Sequence, residues 1–321
     1  MRAIRQTEYG TSDVLKLVDI PKPDPGPGEV LVEVKAAGVT MGDWHLMRGE
    51  PEIMRLALGR RGPNAAVRGM EVSGVVATVG DGVTRFSVGD EVFGWSTGAF
   101  ADYAISPEDR LAKKPASISH EEAATSPFGG GTAIQGIRAA RIRPGDEVLV
   151  IGAGGGVGVF LVQLARLAGA RVTGVASAGK LDLVRSLGAV DAVDYRVDDL
   201  TRFAGRFAVV FDIAGARPLG LLRRLTRRRG AIVLVGAEGG GRMLGRLGRN
   251  LRAALWSPFV SQRFITLTAS DDGRDFEQLR EHFEAGDLRS PVGVTYALED
   301  APRALDDLAA GLIPGKAVVI P

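Results

Sequence analysis

Apolar and polar residues alternate with period two through much of the first hundred positions. Val30-Leu31-Val32-Glu33-Val34-Lys35-Ala36 follows a turn-rich run at 21–28 and reads as a strand. Residues 72–79 and 90–94 continue the pattern, and Asp81-Gly82 marks a turn between two such runs. A strand-rich block punctuated by glycine predicts a compact, barrel-like domain. From about residue 118 helix and strand alternate instead. Ser119 reads as a helix N-cap, with Glu122 three residues on completing a capping box. Strands are predicted at 147–151, 171–176, 207–213 and 231–236, separated by helices or loops. That order predicts a parallel, doubly wound sheet covered on both faces. The last fifty residues return to helix 276–285, strand 292–296, helix 298–310 and strand 316–321.

Residues 148–158, Val148-Leu149-Val150-Ile151-Gly152-Ala153-Gly154-Gly155-Gly156-Val157-Gly158, change the picture from fold to chemistry. Four apolar residues, a glycine cluster and the helical run 160–167 give strand, tight turn and helix in one pass. The turn needs positive φ, which glycine adopts without cost. Missing Cβ atoms let a pyrophosphate reach the main chain, where the helix N-terminus offers unpaired N–H groups. A strand before and a helix after supply the context that makes this a dinucleotide-binding motif.

Composition narrows the class further. A chain of 321 residues, 45% hydrophobic and 24% charged, suits a globular protein of about two domains. No run approaches the roughly 18 apolar residues of a membrane span. The first six residues enter an alternating pattern directly, which predicts no signal peptide and a cytoplasmic location. Zero cysteines exclude disulfides, thiolate nucleophiles and cysteine-ligated zinc. The three histidines, His45, His120 and His282, lack metal-ligand spacing, so no protein-bound catalytic metal is expected.

Net charge is only +2, yet two basic segments stand out. Arg223, Arg224, Arg227, Arg228 and Arg229 read as an anionic-ligand patch or as a solvated helix end stopped by Gly230. No interleaved aromatics accompany them, so the helix end is preferred and no nucleic acid is expected. In 241–256, Leu244, Leu247, Leu251 and Leu255 share one helical face, and Arg242, Arg246, Arg249 and Arg252 take another. Such a helix lies on a membrane, covers a lipophilic cleft, or packs on its own domain.

Further landmarks carry a family resemblance. They are Gly38-Val39-Thr40-Met41-Gly42-Asp43-Trp44, Gly69-Met70-Glu71-Val72-Ser73-Gly74, Gly89-Asp90-Glu91-Val92-Phe93-Gly94 and Gly98-Ala99-Phe100-Ala101-Asp102-Tyr103. Gly131-Thr132-Ala133, the glycine turn, Gly188-Ala189 before Asp194-Tyr195, and Phe211-Asp212 before Ala214-Gly215 follow, then Gly315-Lys316-Ala317-Val318-Val319-Ile320. Over nearly the whole chain these resemble the medium-chain dehydrogenase/reductases, specifically the zinc-free, quinone-oxidoreductase-like branch. The resemblance implies an α/β protein: a GroES-like β-barrel catalytic domain, 1–117 and 271–321, plus a doubly wound Rossmann cofactor domain, 118–270. Zinc-dependent relatives carry cysteine and histidine where this chain has Thr40 and Met70. Without that Lewis acid, the expected acceptors are activated ones, quinones or α,β-unsaturated carbonyls.

An acidic residue about 20 positions past the turn would favour NAD by accepting the ribose hydroxyls. The second strand instead ends in Ser177-Ala178-Gly179-Lys180. Ser177 and Lys180 suit a 2′-phosphate, so NADPH is the expected cofactor. By resemblance, Tyr195 completes that pocket, Thr132 and Gly236 approach the nicotinamide, and Gly152, Gly155, Gly156, Val157, Gly158, Ala214 and Lys316 join the cofactor set. Also by resemblance, Thr40, Asp43 and His45 occupy a loop facing the substrate cleft. His45 is either a proton donor or an exposed histidine with water in that role; Asp43 is expected chiefly to brace the loop. Carbonyl or biosynthetic enoyl reduction on the same scaffold, and a non-enzymatic NADPH-binding or RNA-associated role, are the alternatives. A homodimer through the strand-like run 263–268 is also expected.

Overall fold

A computed structural model describes residues 1–236 and 247–321. Among these the chain divides into two compact units, Met1–Gly131 with Asp271–Pro321, and Thr132–Ser270.

The first unit is built on the long strand Glu29–Val39, which pairs antiparallel with Glu71–Val79 along one side. Its other side is shared by Tyr103–Pro107 and Lys316–Ile320. Two register shifts, at Leu31/Val32 and Val34/Ala36, let one strand serve three partners and bend the sheet. Val30, Val32 and Val34 point inward with Val72, Val76 and Phe100, each contributing about 1.5–3 kcal/mol by burial. This unit runs past residue 117, where the sequence predicts the junction. Helix His120–Ala124 opens with the expected Ser119–Glu122 capping box, and Ala124 packs with Ala36 and Val318.

Residues 41–48 are an α-helix rather than the expected loop. Thr40 caps it in extended conformation, Asp43 answers as the N3 residue, and Gly49 closes it at φ 60°. Thr-x-x-Asp followed by Gly is a legible helix signal, masked here by the strands on either side.

The second unit is a six-stranded, wholly parallel sheet. Its order is Asp191–Asp194, Arg171–Ala176, Glu147–Ile151, Phe207–Asp212, Thr226–Leu234 and Arg263–Thr266. That is the doubly wound order, in which the chain reverses direction beside Glu147–Ile151. Leu149, Ile151, Val210, Leu222, Ile232 and Leu234 form part of its core.

Both basic segments differ from expectation. The helix before the arginine cluster ends at Leu225, and Thr226–Leu234 is strand. Register jumps from Phe207↔Thr226 to Val209↔Ala231, so 227–230 bulge out of the ladder, with Arg229 at φ 61°. Gly230 does not stop a helix; its missing Cβ makes room for Thr226 Cγ2 and the Ala208 carbonyl, 2.6 and 2.7 Å away.

Helix Leu247–Trp256 buries Ala253 against the sheet, while Leu251 and Leu255 are 60% and 62% exposed. These two leucines of the face read as apolar therefore point outward, and Arg249 turns in. Residues 241–246, with Arg242, Leu244 and Arg246, lie outside the described residues. Among the described residues no helix is long and apolar enough to cross a membrane.

Candidate active site

In the second unit, strand Glu147–Ile151 delivers the chain to Gly152, which takes φ 91°. A Cβ on Gly158 would sit 2.1 Å from the Gly152 carbonyl, so the helix Gly158–Leu167 closes tightly on the turn. Gly155 is open: nothing stands nearer to its Cβ position than the Gly152 carbonyl at 3.4 Å. The amides of Gly156, Val157 and Gly158 precede the bond from Val159 N–H to the Gly155 carbonyl. They form the donor-rich helix end on which a pyrophosphate can rest.

The next strand, Arg171–Ala176, ends beside this turn. Lys180 folds back over Gly154, with its Cβ 2.8 Å from where a side chain there would begin. Burial pulls the Lys180 ammonium below the usual lysine range, and among the described residues no carboxylate pairs with it. Ser177 holds the N-cap position of the short turn Ala178–Lys180, yet its hydroxyl does not cap it. Tyr195 is anchored by its N–H to the Ala176 carbonyl at 3.2 Å, which sets it next to Ser177. Its ring is 42% exposed, with the Arg196 and Arg217 guanidinium carbons each 5.7 Å from its centroid.

Toward the other half of the sheet, a Cβ on Gly236 would lie 1.5 Å from the Ile213 carbonyl, so only glycine fits. The Gly152 Cβ position is 3.5 Å from the Ala214 nitrogen. The turns after three neighbouring strands thus converge. Thr132 is buried, and its Oγ1 has no hydrogen-bond partner among the described residues. An open glycine turn, a buried hydroxyl and a cation that both lack a partner among the described residues are features that suit a nicotinamide dinucleotide.

In the first unit, Thr40 and Asp43 serve each other. The Thr40 hydroxyl donates to Asp43 Oδ2 at 2.7 Å and accepts from the Asp43 N–H at 3.2 Å. Burial pushes the Asp43 carboxyl up to about 6, against the hydrogen bonds from Thr40 that favour the anion. Its Oδ1 is buried without a hydrogen-bond partner among the described residues. Two residues on, the His45 ring meets Trp44 edge to face at 5.2 Å.

Lys316, read from the sequence as a cofactor-site candidate, is paired within the first unit. Its Nζ lies 3.2 Å from Glu71 Oε2, and both side chains are buried. A buried ammonium needs a counter-charge, and Glu71 supplies it. Glu71 also accepts from the Phe128 N–H at 2.7 Å, at the start of helix Pro127–Ala140. Burial raises its carboxyl above the usual range even so.

The sequence shows three charged residues without assigning them a role in the site: Glu71 and Asp212 inside motifs, and Arg249 on a basic helical face. Asp212 ends its strand fully buried, in an ion pair with Arg249 from helix Leu247–Trp256. No local pattern announces a pair 37 residues apart.

Residues 26–116 match the alcohol dehydrogenase GroES-like domain family, and 187–319 match the zinc-binding dehydrogenase family. Among the described residues no three histidine, aspartate or glutamate side chains come together as a metal-binding group. A mouse quinone oxidoreductase is 30% identical over 329 residues, 97% of this chain and 95% of that one. A tomato 2-methylene-furan-3-one reductase is 30% identical over 337 residues, all of this chain and 79% of that one. A mycobacterial protein solved in complex with NADPH superposes with a TM-score of 0.84 at 32% identity, covering both chains fully. The bent antiparallel sheet of the first unit, the parallel sheet, the glycine turn and these matches agree: the chain belongs to the medium-chain dehydrogenase/reductases, in the quinone-oxidoreductase-like branch.

Proposed function

We propose that this oxidoreductase is an NADPH-dependent, zinc-independent reductase of quinones or α,β-unsaturated carbonyls that acts as a cytoplasmic homodimer. The observation that carries the cofactor choice is a Ser177 hydroxyl that makes no cap, close in sequence to a Lys180 ammonium that no carboxylate among the described residues neutralises. A 2′-phosphate satisfies both, and Tyr195 stands beside them. The amides at 156–158 take the pyrophosphate, Thr132 Oγ1 the carboxamide, and the backbone amides at Gly236 face the nicotinamide.

Bound NADPH supplies a hydride, and the chain supplies position and a proton. Thr40 and Met70 offer no imidazole or thiolate, which favours acceptors whose own conjugation polarises them. The reduced acceptor leaves an oxyanion or enolate, and His45 gives it a proton. Thr40 and Asp43 hold the N-terminus of the helix that carries His45, so their part is chiefly positioning.

Two features of the second unit support self-association. Strand Arg263–Thr266 is an open sheet edge, and Phe259 nearby is 88% exposed, beside exposed Leu255 and Trp256. A second copy pairing at this edge would cover them.

Steady-state oxidation of NADPH and NADH against quinones, enones and saturated ketones tests the reading. NADPH is expected to be preferred by at least roughly tenfold in kcat/KM, with Lys180→Ala and Ser177→Ala erasing the preference. Equal use of NADH, or turnover of saturated ketones alone, would overturn it.

A further inference from the structure

Helix Leu247–Trp256 leaves two leucines in solvent and brings an arginine inside. Arg249 is 11% exposed and Asp212 fully buried. One nitrogen, Arg249 Nη2, donates both to Asp212 Oδ2 and to the Arg217 carbonyl, the latter at 2.7 Å. The ion pair and the Arg217 bond therefore tie the start of the loop 213–217 to its end.

That loop borders the dinucleotide turn. Asp212 pairs in register with Ile151, the residue before Gly152. Ile213 Cβ lies 3.3 Å from the Gly152 Cβ position, and the Ile213 carbonyl fills the space that Gly236 leaves. At its far end the loop presents the Arg217 guanidinium to Tyr195. Among the described residues Asp212 Oδ1 and Arg249 Nη1 are both buried without hydrogen-bond partners, so the pair is held beside the loop at some cost.

We infer that Arg249 is a positioning residue for the dinucleotide, fixing with Asp212 the 213–217 loop that borders the turn. This rests on the nicotinamide-dinucleotide reading of the same site but not on which of the two cofactors is preferred. Arg249 is distant in sequence from every glycine of the turn, and it acts on the cofactor through the loop.

The test measures dissociation constants for NADPH and NADH by fluorescence, with kcat at saturating cofactor and the urea midpoint, for four forms of the full chain. In Arg249→Met both dissociation constants rise by roughly tenfold or more while kcat at saturation stays near wild type. Because an unpaired buried Asp212 destabilises that variant, Asp212→Asn/Arg249→Met removes both charges; it regains stability and keeps the weakened binding. Arg249→Lys restores the ion pair but cannot bridge to the Arg217 carbonyl, so it recovers the urea midpoint more fully than the affinity. Wild-type affinity in the stable double variant overturns the inference, as does a fall in stability alone. Failure of the unaltered protein to bind either cofactor would instead sink the dinucleotide reading itself.

Discussion

At the scale of single residues, burial decides what each ionisable group does. Asp43 titrates near 6 in the folded protein against 3.8 for the free group. The native state therefore holds a proton more tightly than the unfolded chain. Stability contributed by the protonated form is present below about pH 4 and is lost as pH rises through 6. Relative to Asp43→Asn, the wild type should lose on the order of 3 kcal/mol across that window. Urea unfolding of both proteins at pH 4, 5, 6 and 7 reads this directly, and a pH-independent difference would show that Asp43 titrates normally. Glu71 and Lys316 behave differently, because each neutralises the other. Lys316→Met strands a buried carboxylate and should cost about 3–5 kcal/mol, whereas Glu71→Gln/Lys316→Met should recover most of it. His45 is tested by kinetics: if it donates the proton, His45→Ala lowers kcat by roughly a hundredfold with the KM for NADPH unchanged.

At the scale of elements, glycines separate structural necessity from tolerance. Gly158→Ala places a methyl 2.1 Å from the Gly152 carbonyl, which is backbone and cannot move without opening the turn. Affinity for the dinucleotide should fall at least tenfold. Gly179→Ala, which meets nothing within 4 Å, should bind as the wild type does; calorimetric titration of the two variants makes the comparison. The turn was legible because strand, glycines and helix are contiguous, so local sterics specify it. The helix Met41–Arg48 was equally local, and its capping box and terminal glycine were present to be read. The arginine cluster misled for the opposite reason. Arg227, Arg228 and Arg229 follow a real helix, but Thr226–Leu234 is captured by the neighbouring Phe207–Asp212, and pairing with a buried strand overrides local preference.

At the scale of the whole molecule, the exposed Leu255, Trp256 and Phe259 beside the open edge Arg263–Thr266 are an association liability in a monomer. Sedimentation of the wild type should show a dimer at micromolar concentration, and Phe259→Glu should shift it toward monomer. A monomeric wild type would remove this part of the proposal.

Periodicity and contiguous motifs were enough to determine an alternating-strand domain, a parallel α/β sheet, the dinucleotide turn and the absence of an acid after the second strand. Each depends on residues a few positions apart, where backbone sterics and side-chain pitch act. Tertiary structure alone decided that Lys316 answers Glu71 and that Arg249 turns inward to Asp212 at the expense of two leucines. Those pairings join residues that only the packed chain brings together. Buried charge must find its opposite wherever the fold puts it.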